Sequence, residues 1–177
     1  MAIIKTQNAQ NATGGVKEFY DEILKIMPMI PKPLQLASAS PNLFTITSRQ
    51  MKYFMSHPTL GPLLQAHIRM LVAFNTDYPY CIELNTNLLK MLGKLTDEQI
   101  VAARNNPDAA QLPEKDKAML IFVVKAVSAP EEVQEQDIEA LRRIGWSDTD
   151  IFDAAALGVN MVAMGMLFNI FKMHEAC

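Results

Sequence analysis

Residues 63–93 read LLQAHIRMLVAFNTDYPYCIELNTNLLKMLG, and their spacing decides the fold class. Leu63, Leu64, His67, Ile68, Leu71 and Val72 recur at the three- and four-residue intervals of a helix, which is expected over about Leu60–Phe74. After the polar break Asn75–Pro79, a second helix is expected over Cys81–Leu92, with Leu84, Leu88, Leu89 and Leu92 on one side. Gly93 is placed to end it in a left-handed cap.

The same period extends outward in both directions. Val16, Phe19, Tyr20, Ile23, Leu24 and Met27 form a stripe entered through Gly14-Gly15 and stopped by Pro28. Prolines 28, 31 and 33 make "MPMIPKP" a stiff connector, because they forbid a continuous helix. A helix is expected over Leu43–Met55. Downstream, Thr96 and Gln99 stand at capping-box spacing for a short helix through Arg104. Further helices are expected over Lys115–Val127, where "LIFVV" sits inside a helical stripe, and over Asp137–Ile144, closed by Gly145. Ser147 and Asp150 have the cap-like spacing that opens the last long helix. No stretch sustains strand alternation and no linker divides the chain. The expectation is therefore an all-α protein with a single domain over residues 1–177.

Composition narrows the function classes. A net charge of −3 without a Lys/Arg block offers no basis for binding nucleic acid or an anionic membrane surface. Two cysteines, Cys81 and Cys177, make no disulfide framework and fit a reducing cytoplasm. The first residues lack the apolar core of a secretory signal. Polar residues and glycines interrupt the apolar region Ile151–Phe171, so a helix buried on most sides is expected there rather than a membrane span. The 12 methionines fit an adaptable helical core or a subunit contact.

Few residues can carry chemistry. His57, His67 and His174 are too far apart for a zinc set, and no cofactor or metal motif is present. Cys81 remains. A helix beginning near residue 79 puts it in the first turn, where unpaired N–H groups and the helix dipole favour a thiolate. The opposing reading is an inert buried thiol. Cys177, at the chain end, is a poorly placed partner for it.

The quoted stretch resembles the core of the AhpD-like alkylhydroperoxidase and carboxymuconolactone decarboxylase superfamily. Its pattern is a helix carrying a glutamate, an N-G break, then C-x-x-C-x-x-x-H and a helix ending in Gly. "IPKPLQLASASPNLF", "LTDEQI", "DKAMLIFVVKAV" and "DIEALRRIGWSDTDIFDAAALGVNMVAMGMLFNIF" extend the likeness to peroxidase-related members, over about residues 16–172. The resemblance implies an AhpD-like helical fold, a trimer or hexamer, and peroxide reduction. It sets the family's second cysteine on Cys81. The first cysteine falls on Tyr78, the histidine on Asn85 and the glutamate on Ala66, so the proton relay and the resolving thiol are both replaced.

The leading expectation is one-cysteine peroxide reduction, with Cys81 as peroxide-reactive thiol, His67 as candidate proton acceptor and an external thiol as reductant. Tyr78, Tyr80 and Asn85 are candidate binding residues for a peroxide or small organic acid. The alternatives are a non-catalytic member binding a ligand or partner, and a cofactor-free lyase acting on a small lactone acid.

Overall fold

The computed structural model describes residues 3–173, so His174 and Cys177 lie outside the described residues. Every regular element among the described residues is helical: α1 Gly14–Ile23, α2 Lys32–Ala37, α3 Pro41–Met55, α4 Pro62–Asn75, α5 Pro79–Gly93, α6 Asp97–Asn105, α7 Glu114–Ser128, α8 Glu135–Arg143 and α9 Asp148–Phe171. Single 3-10 turns at Pro107–Ala109 and Pro130–Glu132 precede α7 and α8. The class is all-α.

The chain divides into two compact units. Among the described residues, one comprises 3–57 with 166–173. Its core joins Val16, Phe19, Tyr20 and Ile23 of α1 to Ile30, Leu34 of α2 and Phe44 of α3. Phe44 meets the rings of Phe19 and Tyr20 edge-on, at centroid distances of 5.8 and 5.7 Å. Such pairs add to the stabilisation from area alone. The Tyr20 hydroxyl donates to the Gln7 carbonyl at 3.0 Å, which ties the segment before α1 to its core.

No continuous helix crosses the Pro-rich connector, as its prolines imply, and α2, not expected from the sequence, begins at its end with Lys32. Pro33 falls in the first turn of α2, where the missing N–H has no intrahelical acceptor to lose. Pro41, Pro62 and Pro79 open α3, α4 and α5 in the same way. The first helix also stops earlier than its stripe, at Ile23, and Met27 reaches the core from a turn.

The second unit, Pro58–Gly165, is built on α4 and α5, with α7 against α4. Leu64, Ala66, His67, Ile68, Met70 and Ala73 of α4 are wholly enclosed. Gly158 of α9 allows a close helix approach here. A Cβ on it would lie 2.7 Å from Val123 and 2.9 Å from Val127, both on α7.

Two expectations are corrected. The left-handed residue after α5 is Lys94 (φ 53°), and Gly93 keeps helical geometry. Gly93 serves a close approach instead, since a Cβ there would sit 3.0 Å from Leu63 Cδ2. Nor is α9 enclosed on most sides. Ile151, Ala154, Leu157 and Met161 are buried on one face, while Phe152, Val159, Met166 and Ile170 are 73, 56, 61 and 56% exposed. Among the described residues α9 alone is long and apolar enough to cross a membrane, and its one-sided burial is that of a helix packed on a protein core.

Candidate functional site

The site lies where α4 turns into α5. After Asn75, Asp77 takes a left-handed conformation (φ 49°), which a short polar side chain tolerates better than most. The Tyr78 N–H then reaches back to the Ala73 carbonyl at 2.8 Å, the six-to-one bond of a Schellman ending. Pro79 restarts the chain as α5, so Tyr78 is its N-cap and Cys81 lies in its first turn, as the spacing implied.

Position in the first turn does not decide the state of the thiol. Cys81 is 3% exposed, and burial pushes its pKa up to about 11. Two neighbours oppose that rise: the Tyr78 side chain and the positive charge of Arg69. Removing a thiolate from water outweighs both, so the thiol is protonated at neutral pH. Burial is also the main reason that the Tyr78 hydroxyl is held protonated far above its ordinary range. Tyr78 is therefore a hydrogen-bond donor and not a base.

Asn85 sits one helical turn beyond Cys81 and is 1% exposed. Its Nδ2 donates to the Cys81 carbonyl at 2.8 Å, leaving its oxygen to accept from Arg69 Nε at 3.1 Å. Arg69 also donates through Nη1 to Gln65 Oε1 at 3.1 Å, and Gln65 Nε2 is committed to the Leu60 carbonyl at 2.7 Å. Arg69 and Gln65 did not emerge from the sequence reading. The signal was present as a lone cation between Ile68 and Met70, four residues from a glutamine on the same face.

The remaining candidates are placed differently. His67 is wholly enclosed, with Nδ1 2.8 Å from the Leu63 carbonyl on its own helix. That contact makes Nδ1 the protonated nitrogen and leaves Nε2 an acceptor, with no hydrogen-bond partner among the described residues. Burial lowers the pKa of the ring. His67 is not among the groups acting on Cys81. Ala66, where the resemblance sets a glutamate, is enclosed and brings no acid. Tyr80 is half-buried, its ring 6.3 Å from that of Tyr78. Gly165 of α9 lies over the Tyr78 ring, where a Cβ would make ordinary contact at 3.4 Å. The two best-formed surface pockets, of about 230 and 250 Å³, are lined by residues of α1, α3 and the segment before α1, and neither borders Cys81.

Thus the replaced positions Tyr78 and Asn85 converge on Cys81 with Arg69, on a helical scaffold of the AhpD-like type. Solved structures that share that fold include the following two. One is a peroxidase-related protein from Ralstonia eutropha JMP134, described as an alkylhydroperoxidase AhpD core. It superposes with a TM-score of 0.81 over 97% of this chain and 90% of its own, at 20% identity. The other, an uncharacterized peroxidase-related protein from Silicibacter sp. TM1040, has a TM-score of 0.76, covering 98% of this chain and 94% of its own, also at 20% identity. Compared as a sequence, the chain matches no family model and no curated protein.

Proposed function

We propose that the protein is a peroxidase-related member of this fold that reduces peroxides through Cys81 alone. The observation that carries this reading is the setting of Cys81 between the Tyr78 hydroxyl and the Arg69 cation, two groups that stabilise a thiolate once it forms. The Cys81 thiolate attacks one peroxide oxygen. The S–O bond forms as the O–O bond breaks, giving a sulfenic acid and an alkoxide that takes a proton from water. A low-molecular-weight thiol then condenses with the sulfenic acid, releasing water. A second thiol cleaves the mixed disulfide, restoring Cys81 and leaving an oxidised thiol pair. Among the described residues Cys81 is the one cysteine, and Tyr78 stands where the resemblance puts a second, so the resolving thiol in this reading comes from outside. The peroxidase-related descriptions of both structural neighbours support the reading, and a role in clearing peroxides in a reducing cytoplasm follows from it.

The burial of Cys81 favours a second reading, a non-catalytic ligand-binding member of the fold. One experiment separates them. Purified protein with excess dithiothreitol is given hydrogen peroxide or cumene hydroperoxide, while dimedone reports sulfenic acid by mass. The peroxidase reading requires thiol-dependent peroxide loss and a dimedone adduct on Cys81, both abolished by Cys81→Ser. Peroxide loss no faster than that of the variant leaves the binding reading.

The exposed apolar face of α9 supports self-association, and we propose a homo-oligomer, a trimer or hexamer, built on it.

A further inference from the structure

Cys81 sits behind a wall that leaves a reactant little room. Cys81, Tyr78 and Asn85 are 3, 3 and 1% exposed, and the Tyr78 hydroxyl is itself sealed from solvent. Hydrogen bonds pin this wall in place. The Tyr78 N–H donates to the Ala73 carbonyl at 2.8 Å, and the Cys81 N–H donates to the Tyr78 carbonyl at 3.1 Å. Asn85 donates to the Cys81 carbonyl and accepts from Arg69, so its amide cannot swing aside without losing both bonds. Tyr78 is also backed by α9. A Cβ on Gly165 would lie 3.4 Å from Cδ1 of Tyr78, an ordinary contact, so α9 leaves the ring room to shift by no more than a methyl group. Spaces between side chains packed like this are seldom larger than a water molecule.

We propose that the site reduces hydrogen peroxide and rejects bulky organic hydroperoxides, with the ring of Tyr78 setting the size limit. The inference rests on the peroxidase reading and names its substrate class. Hydrogen peroxide is little larger than water. Cumene hydroperoxide carries a phenyl ring behind its peroxide group and reaches the sulfur only if Tyr78 or α9 first gives way. Forcing volume into a packed interior in that manner is unfavourable. The leaving group adds to the discrimination. When the thiolate takes one oxygen of hydrogen peroxide, the S–O bond forms as the O–O bond breaks, and hydroxide leaves. That hydroxide takes the proton given up by the thiol and departs as water, whereas a bulky alkoxide would have to be housed beside Tyr78. The ring discriminates by filling space, not through its hydroxyl.

Two size comparisons test this, both in a Cys177→Ala background so that Cys81 alone reports. One sets kcat/KM for hydrogen peroxide against that for cumene hydroperoxide, under excess dithiothreitol and above the Cys81→Ser background. The other sets alkylation by iodoacetamide against alkylation by its fluorescein conjugate, each relative to the urea-unfolded chain. Hydrogen peroxide is expected to be favoured at least about tenfold, and folding to slow the fluorescein reagent at least about tenfold more than iodoacetamide. Tyr78→Ala should bring both ratios towards unity. Tyr78→Phe, which keeps the ring, should preserve both ratios while lowering the rates together. Equal kcat/KM for the two peroxides, or equal slowing of the two reagents, without any change at Tyr78 overturns the inference, whether or not Tyr78→Ala folds. Ratios unchanged in a folded Tyr78→Ala protein overturn Tyr78 as the limit. Equal turnover of both peroxides leaves the peroxidase reading standing, whereas turnover of neither rejects that reading and the substrate class with it.

Discussion

The Tyr78 hydroxyl and the thiol of Cys81, three residues further along the chain, act on each other's charge. A phenol at this position is a donor that lowers the cost of a thiolate without accepting its proton. The reactivity of Cys81 therefore rests on burial against two weaker helpers, Tyr78 and Arg69.

That balance sets the pH dependence of the thiol. With a pKa raised to about 11, thiolate at pH 7 is about one part in 10⁴, and it grows tenfold for each pH unit. Alkylation of Cys81 in a Cys177→Ala background should rise log-linearly from pH 7 to pH 10 without a plateau. Tyr78→Phe and Arg69→Gln remove groups that lower the pKa, so each should slow alkylation at every pH in that range. A plateau below pH 8 would mean that the thiol is not desolvated as described.

His67 links stability to acid in the opposite sense. Its pKa is lowered in the folded protein, chiefly by burial, so below about 6.5 the unfolded chain binds a proton that the folded one refuses. Stability should be insensitive to this group above pH 7 and fall as pH drops below 6.5, by at most about 1.4 kcal/mol per pH unit. Urea midpoints measured from pH 7.5 to 5.5 should show that slope, and His67→Gln should flatten it. An equal slope in the variant would assign the acid sensitivity to other groups.

Gly158 tests the packing of α9 against α7. An added methyl would lie 2.7 and 2.9 Å from methyl carbons of Val123 and Val127, and β-branched side chains have little freedom to withdraw. Gly158→Ala should destabilise by about 1–3 kcal/mol, despite the better helix propensity of alanine. The partner variant Gly158→Ala/Val123→Ala should recover part of the loss, which a propensity effect would not do.

Local chemistry explains why much of this was legible in sequence. Thr96 and Gln99 form both bonds of a capping box, at 2.9 and 3.3 Å, and Ser147 and Asp150 bond reciprocally at 3.0 and 3.1 Å. Each involves residues three apart, so spacing alone reveals it. The misreadings were tertiary. Gly93 was assigned a backbone role because nothing local shows that Leu63 crowds it. Arg69 is not legible as a site residue in sequence, because the amides that hold its guanidinium come from two helices, Gln65 of α4 and Asn85 of α5. The identity of the site could be aligned from the resemblance, but the burial that governs Cys81 is a property of the packed α4–α5 pair.

The exposed face of α9 carries the last prediction. Phe152, Val159 and Met166 are spaced seven apart, the interval that keeps one stripe facing a partner helix, and they are 73, 56 and 61% exposed. Leaving such a stripe in water is unfavourable by about 25 cal/mol for each Å² that a partner would cover. Phe152→Glu/Val159→Glu places two like charges on the stripe without disturbing Ile151, Ala154 or Leu157 on the buried side. Light scattering after gel filtration should give a trimer or hexamer for the unsubstituted chain and a monomer for the variant, with unchanged helical circular dichroism. A monomeric unsubstituted chain would reject α9 as a subunit contact.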